Sequence, residues 1–254
     1  VNTWQLLDWT SAAESRKGVR RVVNEDAFLD SGETGLWAVA DGMGGHDAGD
    51  VASAAIRDEL AGLALAPTIN ECIARIETGL RRVNTRLRTA AEARGPDSVI
   101  GSTFAALLIR GRHAVCLWSG DSRAYLARDG SLYLLTRDHK LVHDLVEAGE
   151  IQASDADGHP QRHVITRAIG AEETVRLDLN HVTLAEGDRL LLCTDGLSDK
   201  LDPAAIALGM TEPPETCVRW LMDASDRAGR TDDSTAIAIA IGPSAAIDPR
   251  VSAR

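Results

Sequence analysis

Apolar residues recur along this chain in two rhythms, and those rhythms predict most of its elements. Leu36–Ala40 is an unbroken apolar run that ends on Asp41, short enough to read as a strand. Thr103–Ile109 and Arg112–Trp118 flank a turn at Gly111, and Arg123–Arg128 and Ser131–Leu135 flank Asp129-Gly130. Each pair reads as a β-hairpin, the second with a strong turn dipeptide. Arg189–Cys193 follows the turn Glu186-Gly187-Asp188, and Thr235–Ile241 alternates isoleucine with alanine. The other rhythm is helical. Ile73, Ile76, Leu80, Val83, Leu87 and Ala90 repeat at spacings of three and four, which predicts one buried face of a helix from a cap at Asn70 to about Ala93. Ala48–Leu65 follows a glycine-rich turn with Asp47 as its N-cap. Lys140–Ala148 stops at Gly149, Asp202-Pro203 opens another helix, and Glu215–Ala228 ends at Gly229.

The predicted order is a strand, two helices, four antiparallel strands, a helix, and then further strands with helices between. That is an α+β arrangement rather than an alternating βαβ array. No internal repeat or low-complexity block interrupts it. Gln152–His163 is polar, contains Gly158 and Pro160, and reads as a mobile loop; Pro243–Arg254 lacks a hydrophobic pattern and reads as a frayed tail. The 254 residues suit one large domain or two small ones, and a single domain over residues 1–242 is expected.

Composition changes this picture in three places. Aromatics are only 4% of the chain, so the core must rest on Ala, Leu, Val and Ile. The formal charge of −11 argues against a duplex nucleic acid partner, which calls for a basic face; it leaves anionic substrates open if bound metal reverses the local field. Cys72, Cys116, Cys193 and Cys217 form no CxxC pair and read as reduced core thiols of a cytoplasmic protein. Residues 1–10 contain Asp8 and no long apolar run, so no secretory signal is expected, and no segment reaches the roughly 20 apolar residues that span a bilayer.

Aspartates stand at the ends of the apolar runs. Arg21–Asp26, Asp41–Gly45, Gly120–Arg123, Thr194–Gly196 and Thr231–Ser234 carry them. Two carboxylates about 4 Å apart at an effective dielectric of about 20 repel by roughly 4 kcal/mol, so a fold that gathers them needs cations. Hard oxygen ligands select magnesium, manganese or calcium over zinc. Glycines after Asp41 let the backbone turn sharply and approach a ligand. Asp195-Gly196 repeats the arrangement, and Asp232-Asp233 mirrors it before Thr235–Ile241. Any single Asp-Gly is an ordinary turn. Three at strand ends, with no Lys or Arg beside them in sequence, point to convergence on divalent ions that share and acidify a water.

Arg21, four residues before Glu25, offers a planar fork of donors to an anionic oxygen, although Arg20 and Arg21 taken alone read as solvated surface charges. Cysteine-phosphatase chemistry fails on spacing, because the residues six positions after the cysteines are Thr78, Ser122, Asp199 and Asp223 rather than arginine. No GxxxxGK loop is present, and Gly42-Met43-Gly44-Gly45 does not complete a dinucleotide fingerprint. His139 and His143 read as ordinary surface histidines. His46, after the glycine turn, reads as a helix-start hydrogen-bonding group ahead of a proton donor.

Together Arg21–Asp26, Asp41–Gly45, Gly101-Ser102-Thr103, Gly120–Arg123, Asp188–Gly196 and Asp232–Thr235 resemble, in order and spacing, the motifs of the metal-dependent protein phosphatase family, type 2C or PPM. The likeness runs from about Thr10 to Gly242, and methionine inside the DGxGG motif is similar to the bacterial branch. The resemblance implies a sandwich of two antiparallel sheets flanked by helices on both sides. It implies that Asp41 bridges two Mn²⁺ or Mg²⁺ ions, with the Gly42 carbonyl on the second and Asp195 and Asp232 completing the first. It also implies a third ion at Asp121 and Asp195, Arg21 on the substrate phosphate, Glu25 acting through metal-bound water with Asp26 behind the ligands, and a variable flap over about 140–163. Met43 stands where some eukaryotic members carry a candidate histidine acid, and Asp233 where asparagine is frequent, its added charge either tightening metal binding or facing solvent.

Charge balance agrees with the resemblance, since Asp41, Asp121, Asp195, Asp232 and Glu25 sum to −5 and would repel a phosphate without at least two divalent ions. The expected activity is hydrolysis of phosphoserine and phosphothreonine in proteins by in-line attack of a metal-bridging hydroxide, with no covalent intermediate. Phosphoproteins and a cognate kinase pathway are the expected partners, with no nucleic acid, no membrane and a monomeric state. The rivals are a metal-free phosphoprotein-docking module and a different two-metal hydrolase, such as a nuclease or small-molecule phosphatase.

Overall fold

A computed structural model describes residues 7–44, 48–64 and 66–243. In chain order the elements are β1 (Asp8–Arg16), β2 (Asp26–Ser31), β3 (Leu36–Met43), α1 (Gly49–Ala61), α2 (Ile69–Glu92), β4 (Gly101–Ser102), β5 (Phe104–Arg110), β6 (His113–Ser119) and β7 (Arg123–Arg128). There follow β8 (Ser131–Leu134), α3 (Leu141–Glu147), β9 (Asp178–Thr183), β10 (Arg189–Cys193), α4 (Asp195–Ser198), α5 (Pro203–Gly209), α6 (Pro214–Arg227) and β11 (Ser234–Gly242). Two antiparallel sheets result, one in the order β1-β11-β10-β7-β8 and the other β2-β3-β5-β6-β9, with β4 alongside β3.

The side-chain period of two explains the layers. On β3, Trp37 and Val39 point between the sheets, where they meet Leu107 and Ile109 of β5 and Ile237 and Ile239 of β11. Leu36, Ala38 and Ala40 point the other way, onto Ile56 of α1 and Ile76, Leu80 and Val83 of α2. A strand covered on both faces reads as a continuous apolar run, as Leu36–Ala40 does. The Ile/Ala alternation of β11 has the same origin: the isoleucines fill the space between sheets, while Ala236 and Ala238 let α6 approach with Val218, Leu221 and Met222. The order is therefore helices, sheet, sheet, helices, as expected.

Several elements differ from expectation. β1, β2 and β9 were not legible, because they are edge strands with polar and small residues. β1 is held by nine register pairs with β11, and Trp9 sets its ring edge-on against Trp37 at 5.8 Å. The cap of α2 is Thr68 rather than Asn70: Thr68 Oγ1 accepts from Glu71 N–H and donates to the Glu71 carboxylate, so one hydroxyl caps the helix start. α1 ends at Ala61, ahead of the expected Leu65, and Leu65, His46 and the Asp47 cap lie outside the described residues, as do residues 244–254. Among the described residues no helix is long and apolar enough to cross a membrane.

Candidate active site

Antiparallel pairing collects the acidic strand ends at one edge of the sandwich. Register places Asp26, first residue of β2, opposite Asp41 near the end of β3. β10 runs into Asp195 beside the start of β11, where Thr194 N–H donates to Thr235 O at 3.0 Å and Thr235 N–H returns to Thr194 Oγ1 at 2.9 Å. Asp121 sits in the link that carries the chain from β6 in one sheet to β7 in the other. Arg21, Glu25, Asp41, Gly42, Asp121, Asp195 and Asp232 all line one cleft of about 570 Å³, together with Met43, Thr103, His163, Asp199 and Lys200. Asp26 lies behind it. Every sequence-predicted site residue is thus brought to one place.

The two Asp-Gly turns need glycine for close approach. A Cβ on Gly42 would stand 1.9 Å from Gly49 O, and one on Gly196 would stand 1.9 Å from Asp233 O. Neither could be accommodated without moving backbone, so the cleft floor is packed main chain on main chain.

Hydrogen bonds orient the carboxylates. Asp26 Oδ2 accepts from Thr194 Oγ1 at 2.9 Å and Thr235 Oγ1 at 2.7 Å, while its buried Oδ1 has no partner. Asp41 is fixed through its backbone: its N–H donates to Thr103 Oγ1 at 3.0 Å, and its carbonyl accepts from Ser102 Oγ and Thr103 N–H at 2.9 Å. Arg21 is committed to carboxylates, Nε to Asp232 Oδ1 at 2.7 Å and Nη1 to Glu25 Oε2 at 2.7 Å. Asp233 is buried and accepts backbone N–H groups of Gly18 and Glu25, each at 2.7 Å. It therefore neither faces solvent nor lines the cleft; it pins the loop that carries Arg21.

Mutual repulsion shows in the acidities. Burial foremost, then the charges of Asp26, Asp195, Asp121 and Asp232, pushes the Asp41 carboxyl well above its ordinary range. Burial, with Asp121 and Asp199 adding to it, pushes Asp195 up to about 7, and Asp26 also rises to about 7 through burial and the charges of Asp195 and Asp233, against its two threonine hydrogen bonds. Asp121 and Glu25 are raised as well, chiefly by burial.

Sequence neighbours suggested that nothing neutralises these aspartates, and the fold corrects that. Arg21 reaches Asp232 from 211 residues away, and Lys140 lies 3.1 Å from Asp121. Asp199, which lines the cleft, and Lys140 with Asp138 beside Asp121 were missed by the sequence reading. Asp199 had a signal, four residues after Asp195 and so one helical turn on; Lys140 had none, because its reach is tertiary. His139, expected at the surface, is buried: Gly120 N–H donates to its Nδ1 at 3.0 Å, and Trp118 stacks on its ring.

Among the described residues no three His, Cys, Asp or Glu side chains already stand closed around one point. The fit to divalent cations is carried by the donor chemistry. The donors are carboxylate and carbonyl oxygens, the pocket stays acidic after Arg21 and Lys200 are counted, and the partnerless Asp26 Oδ1 lies behind Asp41. Such a set suits Mg²⁺ or Mn²⁺.

Comparison with known proteins adds to this geometry. A family model described as Protein phosphatase 2C matches residues 15–228. The chain belongs to the protein phosphatase 2C family. Within that family it is 37% identical over 228 residues to the serine/threonine protein phosphatase PstP of Mycobacterium tuberculosis, a match that covers 89% of this chain and 44% of PstP. The chain thus spans less than half the length of that curated relative. Among solved structures it is similar to PppA, a regulatory component of T6SS in Pseudomonas aeruginosa, at 38% identity and a TM-score of 0.86, covering 93% of this chain and 99% of that one. It is also similar to the PstP catalytic domain solved in complex with two manganese ions, at 33% identity and a TM-score of 0.81, covering 93% and 99%.

Proposed function

We propose that this chain is a metal-dependent serine/threonine protein phosphatase that takes two divalent cations, Mn²⁺ or Mg²⁺, at its acidic cleft. The observation that carries the reading is the convergence of Asp41, Asp121, Asp195 and Asp232 with Arg21 around a single cleft, in a family with a manganese-bound member. Asp41, the Gly42 carbonyl, Asp195 and Asp232 would hold the cations. Bound there, they would supply Lewis-acid polarisation of the phosphoryl oxygens and lower the pKa of a coordinated water.

The remaining work falls to the chain's own groups. Arg21, held between Glu25 and Asp232 at the cleft wall, offers its guanidinium to the phosphate oxygens. Asp26, oriented by Thr194 and Thr235, sets the electrostatic background of Asp41. A cysteine-phosphate route has no support: all four cysteines are buried, and burial pushes the Cys116, Cys193 and Cys217 thiols up to about 12. Direct hydrolysis without a covalent intermediate is the reading that an oxygen-lined, cation-binding cleft supports. Residues 1–242 would form one catalytic domain with a flap over 140–163, acting as a cytoplasmic monomer on phosphoproteins of a Ser/Thr kinase pathway.

The test is hydrolysis of p-nitrophenyl phosphate and of phosphoserine and phosphothreonine peptides with Mn²⁺. Activity should vanish in EDTA, and Asp41→Asn and Asp195→Asn should each lower kcat by about a thousandfold or more, a loss of roughly 4 kcal/mol of transition-state stabilisation. Full activity in both variants would sink the assignment, and a preference for nucleotides or DNA over phosphopeptides would move it to another hydrolase class.

A further inference from the structure

Lys140 belongs to none of the motifs and lines the adjoining pocket, yet its ammonium reaches Asp121 of the acidic cleft. Its backbone is extended just before α3, bridged to Ile165, and the next residue, Leu141, donates its N–H to Val164 O at 2.8 Å. A lysine ammonium is strongly hydrated and ordinarily turns to water. This one does not: the side chain is 8% exposed, and Nζ lies 3.1 Å from Asp121 Oδ2, 3.6 Å from Asp199 Oδ1 and 3.7 Å from Asp138 Oδ2. Asp138 is already answered by Arg123, which binds it through two parallel bonds of 2.9 and 2.7 Å. Asp121 has no other ion-pair partner among the described residues, so the ammonium is its cation.

Asp121 is also the residue on which the family resemblance would place a third ion. A divalent cation on the same carboxylate would stand within a few ångströms of the ammonium, and two positive charges that close repel strongly in a partly buried site. The Lys140 ammonium is held by three carboxylates, so displacing it for a second cation would cost the ion pairs it makes with Asp121, Asp199 and Asp138. We propose that the Lys140 ammonium occupies the place of a third metal ion, so that the chain binds two divalent cations and Asp121 serves a cation tethered to the fold. The proposal rests on the metal-dependent reading of the cleft. Its consequence is that the charge at Asp121 is constant, whatever the metal supply.

Manganese chloride titrated into metal-free protein by calorimetry, with bound manganese counted after equilibrium dialysis, tests this without any activity measurement. Wild type should bind two ions per chain, and Asp121→Asn should still bind two. Lys140→Ser should bind three, and Lys140→Ser with Asp121→Asn should return to two. Without metal, Lys140→Ser should melt below wild type, and manganese should raise its melting temperature by more than it raises that of wild type. Three ions in wild type, one of them lost in Asp121→Asn, would overturn the proposal and leave the phosphatase reading standing. A folded Lys140→Ser variant that binds only two would also overturn it. If Lys140→Ser does not fold, the wild-type and Asp121→Asn counts still decide. No manganese binding in any of the proteins would overturn the metal reading, and this inference with it.

Discussion

Replacing Asp233 by alanine removes two hydrogen bonds and one buried charge together, and the structure says which effect wins. The Asp233 carboxylate accepts Gly18 N–H and Glu25 N–H, both at 2.7 Å, and thereby ties the loop bearing Arg21 to the start of β11. Hydrogen bonds to a charged group contribute about 1.5–3 kcal/mol each, so the loss is about 3–6 kcal/mol. Against that, the Asp233 charge is one of those that raise Asp26 and Glu25, and its removal relieves repulsion of about 1–2 kcal/mol in the metal-free protein. The net expectation is destabilisation by about 1–5 kcal/mol, a fall in Tm of roughly 2–20 °C for a chain of this size. Arg21 rides on the released loop, so kcat/KM for p-nitrophenyl phosphate should fall about tenfold to a hundredfold. Asp233→Asn, which keeps one acceptor, should lie between. Differential scanning calorimetry in EDTA and steady-state kinetics in Mn²⁺ measure both quantities. An alanine variant that melts within about 1 °C of wild type and keeps its kcat/KM would refute the role assigned to Asp233.

Gly196→Ala should be lost to insoluble protein or lose more than about 3 kcal/mol of stability by denaturant titration, because its Cβ would meet Asp233 O at 1.9 Å; a soluble, fully stable variant would show that the turn relaxes cheaply. His139 is held neutral: burial, with Arg167 nearby, lowers its pKa below the ordinary value despite Asp178. Its contribution to stability is therefore present above the unfolded value of about 6.5 and is lost as pH falls below it. His139→Gln can accept from Gly120 N–H and donate to Asp178 without titrating, so its Tm should gain on that of wild type as pH falls from 7.5 to 5.5. A constant gap across that range would contradict the assignment.

Much of the candidate site was legible because carboxylates at strand ends, set beside glycines, leave local marks in the sequence. Asp41 and Asp195 each end an apolar run and precede a glycine, and Asp232 stands just before the apolar strand Thr235–Ile241. Those patterns depend on residues next to each other and survive in one dimension. Asp233 was visible too, but its role was not: whether it faces solvent or holds a loop depends on Gly18, 215 residues away. The edge strands β1, β2 and β9 escaped for a related reason. Their pairing comes from hydrogen bonds to strands already in place, so their own residues need little apolar alternation. His139 was misplaced because its Nδ1 finds a buried backbone donor that no spacing rule announces.

By itself the chain determined which residues are acidic, which runs are strands, and that an oxygen-rich cation site is the natural use of them. Local period and turn chemistry encode those things. Only the tertiary structure decided how the charges are arranged. Register puts Asp26 opposite Asp41, Arg21 reaches across to Asp232, and Lys140 reaches Asp121. A cation's effect on a carboxylate falls with distance in space, and distance in space is set by pairing and packing between segments far apart in sequence.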